Sequence, residues 1–254
     1  MRAFLEKNEK EWFDDYVYIS RQPLLDMGVE VIGFNGNDYV TLLQHNPDLR
    51  NNDIMIGSVD ALHILFEESE IQIPQYLGYP DPLKPYLSRD MILCALGTVP
   101  LEFPYFVKPS KQVKLFTGTI VANEKQRELL KFFGKGLVTD DTEVFACQAI
   151  NILSEYRCFV HKGELKGIQY YRGDFKLFPD PSRIELMIEK YKDAPVAYTL
   201  DVGVADMSGD MMECVETILI EVNDMWAIGS YGFDGKTYVR MCIDRLMEIK
   251  QKTI

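Results

Sequence analysis

Cysteine is sparse and unpatterned: Cys94, Cys147, Cys158, Cys214 and Cys242 are odd in number and include no CxxC pair. That excludes a disulfide-framed secreted fold and a clustered zinc site, and predicts reduced core residues of a cytoplasmic protein. No apolar run approaches the ~20 residues needed to cross a bilayer. The opening Met1-Arg2-Ala3-Phe4-Leu5-Glu6-Lys7 turns charged too early for a secretory signal. Basic residues are outnumbered, 27 Lys and Arg against 39 Asp and Glu, for a formal charge of −12. A general nucleic-acid binder needs a basic surface to release counterions, so this balance argues against that class. The three histidines, His45, His63 and His161, show neither metal nor triad spacing. No GxSxG, HExxH or complete P-loop motif occurs, nor any internal repeat.

What is present is an ordinary globular composition, 47% hydrophobic and 26% charged, in a chain of 254 residues. That length buries a substantial core, as one large domain or two lobes. The first 80 residues alternate strand and helix. Ala3–Leu5, Val29–Phe34 and Asp53–Gly57 read as strands. Glu9–Met27 reads as helical stretches interrupted near Pro23 and closed by Gly28, and Ser58 caps a helix over Val59–Glu68. The alternation predicts a small parallel α/β lobe. A connection rich in proline and tyrosine follows over 72–86. Beyond it, Leu87–Leu96 reads as a helix stopped by Gly97. Tyr105–Lys108 and Thr117–Val121 read as paired strands, Glu124–Phe133 as a helix and Val144–Ile150 as a strand. Arg157–Val160 and Leu165–Tyr171 form a hairpin around Lys162-Gly163, with His161 exposed in its turn. Ser182–Tyr191 and Tyr238–Lys250 are helices.

The most informative stretch is Glu216-Thr217-Ile218-Leu219-Ile220-Glu221-Val222-Asn223-Asp224. Its β-branched and apolar run is that of a buried strand, and Glu221 and Asn223, two residues apart, share a face. Tyr198–Val204 is a second apolar strand bearing one acid, Asp201. Neighbouring strands that present Asp201, Glu221 and Asn223 would form an oxygen-lined cradle suited to a hard cation such as magnesium. Strand-end polar groups facing solvent are the bland alternative. Lys108, Lys111 and Lys114 concentrate positive charge in an otherwise acidic chain, as a polyanion site would. The segment Ala205–Cys214, with methionines at 207, 211 and 212, reads as an acidic surface loop.

Three motifs stand in order: Phe106-Val107-Lys108-Pro109-Ser110, Glu155-Tyr156-Arg157-Cys158-Phe159-Val160, and Asp201 with Glu221-Val222-Asn223. Together they resemble the ATP-grasp superfamily, the middle block its RimK-related branch, over roughly residues 84–250. The resemblance implies an α/β chain. Residues 1–80 would form a Rossmann-like lobe and 81–254 the ATP-grasp domain, with a nucleotide-binding sublobe near 84–146 and a magnesium sublobe near 150–254. It also implies ATP, with magnesium or its substitute manganese held by Asp201, Glu221 and Asn223. Lys108 and Lys114 would meet the phosphates, the latter from a loop that replaces the glycine-rich flap of many members. Arg89 would be the second basic residue. Cys147, Gln148 and Ile150 would border the adenine through the backbone of a hinge strand, and Glu155 would face the ribose. Arg157 would face the transferring phosphoryl or a substrate carboxylate, with Arg172 and Asp174 on the acceptor side.

The activity implied is an ATP-dependent ligase joining a carboxylate to an amine, with a peptide or protein as one substrate and no membrane or general nucleic-acid partner. A phosphotransferase and a nucleotide-binding protein without turnover are the rivals.

Overall fold

The computed structural model describes residues 1–7, 14–35, 38–46, 53–102, 104–110, 115–207 and 214–252. Its first layer is a parallel sheet of β1 (Arg2–Lys7), β2 (Glu30–Asn35) and β3 (Ile54–Ile56), in the order β2-β1-β3. In the central strand Ala3, Phe4 and Leu5 are almost fully buried, as expected where helices cover a parallel sheet. The helices are α1 (Asp15–Asp26), α2 (Tyr39–His45) and α3 (Val59–Glu68). Ser58 caps α3 as expected, its Oγ accepting from the Ala61 amide at 3.1 Å. Gly28, at φ +71°, closes α1, and the Val29 amide reaches back to the Leu24 carbonyl at 3.0 Å. The short α2 was not anticipated from the sequence.

The expected break at Pro23 does not occur, for α1 runs straight through it. A proline cannot donate to the carbonyl four residues back, here that of Ile19. That oxygen lies against Gly235, where a Cβ would come within 2.7 Å of it. The Gly235 backbone packs closely against the oxygen from which the proline withholds its helical donor.

Two antiparallel sheets follow. The first orders β4 (Ile92–Ala95), β7 (Glu143–Gln148), β5 (Tyr105–Pro109) and β6 (Thr119–Val121) as β4-β7-β5-β6, with α4 (Glu124–Phe133) between β6 and β7 in the chain. The second holds β8 (Asn151–His161), β9 (Glu164–Gly173), β10 (Ala197–Asp206) and β11 (Val215–Asp224) in the order β11-β10-β8-β9. Helix α5 (Pro181–Lys190) separates β9 from β10, and α6 (Gly235–Gln251) comes last.

Two further expectations are corrected here. Leu87–Leu96 is not a helix: a 3-10 turn ends at Tyr86, Ser88 takes φ +52°, and the apolar run becomes β4 beside β7. A six-residue apolar run has no periodicity to separate strand from helix, and pairing with β7 decides it. His161 is not exposed: β8 is longer than expected, so this residue still belongs to the strand, and its Nε2 meets Asp244 Oδ2 of α6 at 2.9 Å. The turn is only Lys162 and Gly163, both at positive φ, the conformation a two-residue hairpin requires. Met211, Met212, Lys111 and Lys114 lie outside the described residues.

The parallel layer does not keep its core to itself. Phe4, Leu5, Leu62 and Phe66 share one apolar cluster with Phe159, Trp226 and Phe233, and with Tyr238, Met241 and Leu246 of α6. On β8 the alternate residues Tyr156, Cys158 and Val160 face a second core under α5, which leaves Arg157, Phe159 and His161 on the opposite face. Among the described residues no helix is long and apolar enough to cross a membrane.

Lys250 is buried in the shared core, its Nζ donating to the Asp53 carbonyl at 2.7 Å. Burial pulls its pKa down to about 8. Above that pH the folded chain has shed a proton that the unfolded chain keeps until about pH 10.4. Stability should therefore rise with pH across this window, by on the order of 2 kcal/mol at pH 10. Denaturant titration at pH 7.5 and pH 10 is expected to show that rise in the wild type relative to Lys250→Met. Parallel pH dependence in the two proteins would contradict it.

Candidate active site

The register of β10 against β11 places Asp201 opposite Glu221 and Thr199 opposite Asn223. Three oxygen-bearing side chains thus converge. Asn223 Nδ2 lies 3.2 Å from Asp201 Oδ2 and 3.1 Å from Glu221 Oε1. The neighbouring strand β8 sets Arg157 opposite Asp201. The guanidinium grips that carboxylate with both arms, Nε to Oδ1 at 2.8 Å and Nη2 to Oδ2 at 2.7 Å. Its remaining Nη1 donates to the Gly229 carbonyl at 3.0 Å.

At the other end Lys108 arrives from β5, a strand of the other antiparallel sheet, and its ammonium binds Glu221 Oε2 and the Tyr76 hydroxyl. The result is a row, Arg157–Asp201–Asn223–Glu221–Lys108, in which a cation at each end offsets one of two acids held apart by a neutral amide. The same row bridges the two antiparallel sheets.

Burial and charge oppose each other along this row. Burial raises the Asp201 pKa above the usual aspartate range despite the adjoining guanidinium. Burial also pushes Glu221 upward, but the Lys108 charge and hydrogen bonds from Lys108, Asn223 and Tyr76 hold it below the usual range. Lys108 is raised even though burial opposes it, because the Glu221 carboxylate favours the ammonium. Both cations are thus firmly charged and committed to the two acids.

The donor chemistry fits a hard divalent cation. Two carboxylates and a carboxamide converge, oxygen donors without thiol or imidazole, while among the described residues no group of three or more His, Cys, Asp and Glu is placed to hold a metal ion by itself. Magnesium is commonly held by one or two carboxylates together with substrate phosphates, which matches so small a set. Asn223 now turns its amide nitrogen toward the acids, and a half-turn about its last bond would present Oδ1 instead.

Tyr171 and Tyr231 stack with ring centroids 5.0 Å apart, and the Arg157 guanidinium carbon stands 4.8 Å from the Tyr231 centroid. Glu155, two residues before Arg157 on β8, pairs with Arg172 at 3.6 Å. Burial, followed by the charges of Asp201 and Glu155, raises the Tyr171 pKa, so that ring faces both acids. Asp174 accepts from the Lys176 amide at 3.0 Å, a local turn contact. Arg89, expected on a helix, lies instead between the 3-10 turn and β4. It donates to the Leu219 carbonyl at 3.0 Å and the Ile220 carbonyl at 3.2 Å. It also meets the Cys147 thiol, offsetting part of the upward push of burial there. The β4 ladder reaches only to Ala146, so Cys147 and Gln148 extend past it, and Ile150 lies in the link to β8. Tyr76 and Tyr79, read from the sequence only as parts of a connection, are the site neighbours that were missed. Their clustering with prolines suggested a linker and nothing more.

Residues 86–241 match the family described as ATP-grasp domain, R2K clade family 2. No curated protein matches the chain by sequence. Among solved structures, D-alanine–D-alanine ligase from Bacillus anthracis complexed with ATP superposes with a TM-score of 0.58 at 13% identity, covering 98% of each chain. L-amino acid ligase from Bacillus licheniformis gives 0.57 at 11% identity, over 98% of this chain and 75% of that one. A RimK domain ATP-grasp protein from Sphaerobacter thermophilus gives 0.50 at 11% identity, over 97% of this chain and 98% of that one. Such identities speak for a common fold alone. With the family match spanning well over half of its residues, the chain belongs to the ATP-grasp proteins of R2K clade family 2.

Proposed function

We propose that this protein is an ATP-dependent ligase that activates a carboxylate as an acyl phosphate and joins it to an amine, releasing ADP and phosphate. The observation that carries the reading is the neutral row from Arg157 to Lys108, a set of acids and cations shared between two sheets. Asp201, Glu221 and Asn223 would hold magnesium, which when bound neutralises charge on the phosphates of ATP.

Lys108 would then turn from Glu221 to the phosphates with Arg89 as a further cation on that side, and Lys114 keeps its phosphate role from the sequence reading alone. Past the end of the β4 ladder, the backbone of Cys147 and Gln148, with Ile150 beyond them, would supply donors and acceptors to adenine, and Glu155 would face the ribose. Arg157, anchored between Asp201 and Gly229, orients the carboxylate for in-line attack and steadies the charge that develops. Tyr231, 44% exposed beside the Arg157 guanidinium, and Tyr171 would border the acceptor side, with a peptide or protein terminus as one substrate.

The test is product analysis with ATP, magnesium and panels of carboxylates and amines, with hydroxylamine as a trap. The expected result is ADP release that depends on the carboxylate, with a hydroxamate formed. A phosphate ester in place of any trapped acyl species would assign the protein to phosphotransfer to a hydroxyl instead.

A further inference from the structure

We infer that Tyr76 is a positioning residue of this site, its phenol fixing Glu221 and Lys108 relative to one another across the cleft. The inference rests on the reading above, in which Glu221 holds a divalent cation. The Tyr76 hydroxyl donates to Glu221 Oε2 at 3.1 Å and accepts from the Lys108 ammonium. Lys108 is further enclosed by the Tyr76 and Tyr79 rings, whose centroids lie 5.0 and 5.1 Å from Nζ. One side chain from a third segment thus joins residues of two different sheets.

The placement of that ring is over-determined. The Val222 amide, next in chain to Glu221, donates to the Gly78 carbonyl at 2.8 Å and pins the connection to β11. Gly78 has φ +48°, and a Cβ there would stand 2.6 Å from the Tyr76 ring, so only glycine lets the ring fold back along its own backbone. Tyr79 packs edge-on against Phe145, ring centroids 5.0 Å apart, and Phe145 is the β7 partner of Lys108. The connection is therefore a strap tied to both walls of the site.

Its chemical consequence concerns the carboxylate. Asn223 holds Oε1 of Glu221 and Tyr76 holds Oε2. When Lys108 leaves for a phosphate, the phenol is the donor that remains on Oε2 and keeps the carboxylate aimed. Outer hydrogen bonds of this kind set ligand orientation, and their loss commonly costs 10–100-fold in metal affinity.

Tyr76→Phe removes the hydroxyl and keeps the ring. Manganese(II) binding, read by electron paramagnetic resonance with the β,γ-imido analogue of ATP present, is expected to weaken about tenfold in Tyr76→Phe. The unliganded thermal midpoint should stay close to that of the wild type. Equal manganese affinity in both proteins would overturn this inference alone. A wild type that binds no manganese with the nucleotide would overturn the site reading beneath it as well.

Discussion

Glu221→Gln is expected to keep the fold and lower turnover about a thousandfold, on the order of 4 kcal/mol of transition-state stabilisation. The carboxylate stands between Asn223 and Lys108 in the row, with Asn223 on one oxygen and Lys108 and Tyr76 on the other. A carboxamide has nearly the same volume, so the packing of β11 survives. It nevertheless removes the negative charge and turns one of the two acceptor oxygens into an NH2 donor, so a cation and the Lys108 ammonium share a single neutral oxygen. The Lys108 and Glu221 side chains retain 13% and 24% exposure, so water can compensate part of the lost pairing. The unfolding free energy should therefore fall by less than the ~3–5 kcal/mol typical of breaking a fully buried pair. Thermal denaturation and carboxylate-dependent ADP release, measured on one preparation, check both halves. Activity within tenfold of the wild type would remove Glu221 from the catalytic set.

Arg157→Lys should act in the opposite proportion, costing stability as well as rate. The Arg157 and Asp201 side chains are 7% and 4% exposed, the deepest ion pair of the site. A lysine keeps the charge but cannot supply two parallel donors to Asp201 and a third to Gly229. A loss of about 2 kcal/mol in stability follows from the unmet buried acceptors. Turnover should fall about a hundredfold as the carboxylate partner loses its orientation. ATP affinity should change by less than about threefold, because Arg157 stands at the far end of the row from Lys108, and uniform binding is preserved when only the reacting end is disturbed. Single-turnover kinetics beside calorimetric ATP titration separate the two quantities. Equal losses in affinity and rate would place Arg157 among the nucleotide contacts.

Much of this architecture is written locally. Apolar and β-branched runs marked β10 and β11, the Lys162-Gly163 turn marked the β8–β9 hairpin, Ser58 and Gly28 marked helix ends, and the spacing of Glu221 and Asn223 put both on one strand face. These are short-range properties, decided by backbone sterics and a two-residue period, so the sequence by itself determined them. It also carried the three ordered motifs by which the ATP-grasp family could be recognised.

The rest depends on neighbours distant in the chain. Whether Met91–Leu96 is helix or strand depends on β7, some fifty residues later, offering an edge to pair with. That α1 runs through Pro23, with Gly235 packed against the Ile19 carbonyl, joins residues more than two hundred positions apart. The partners of the charged residues were equally illegible: Arg157 is committed to Asp201 and Lys108 to Glu221 only once four strands and a strap are assembled. An ion pair is set by distance and burial in three dimensions, and neither has a signature in the linear order of side chains. The sequence alone therefore determined most of the elements and the chemical types of the candidate site residues, and tertiary packing decided β4, which charges meet and that a tyrosine of the connecting segment stands between them.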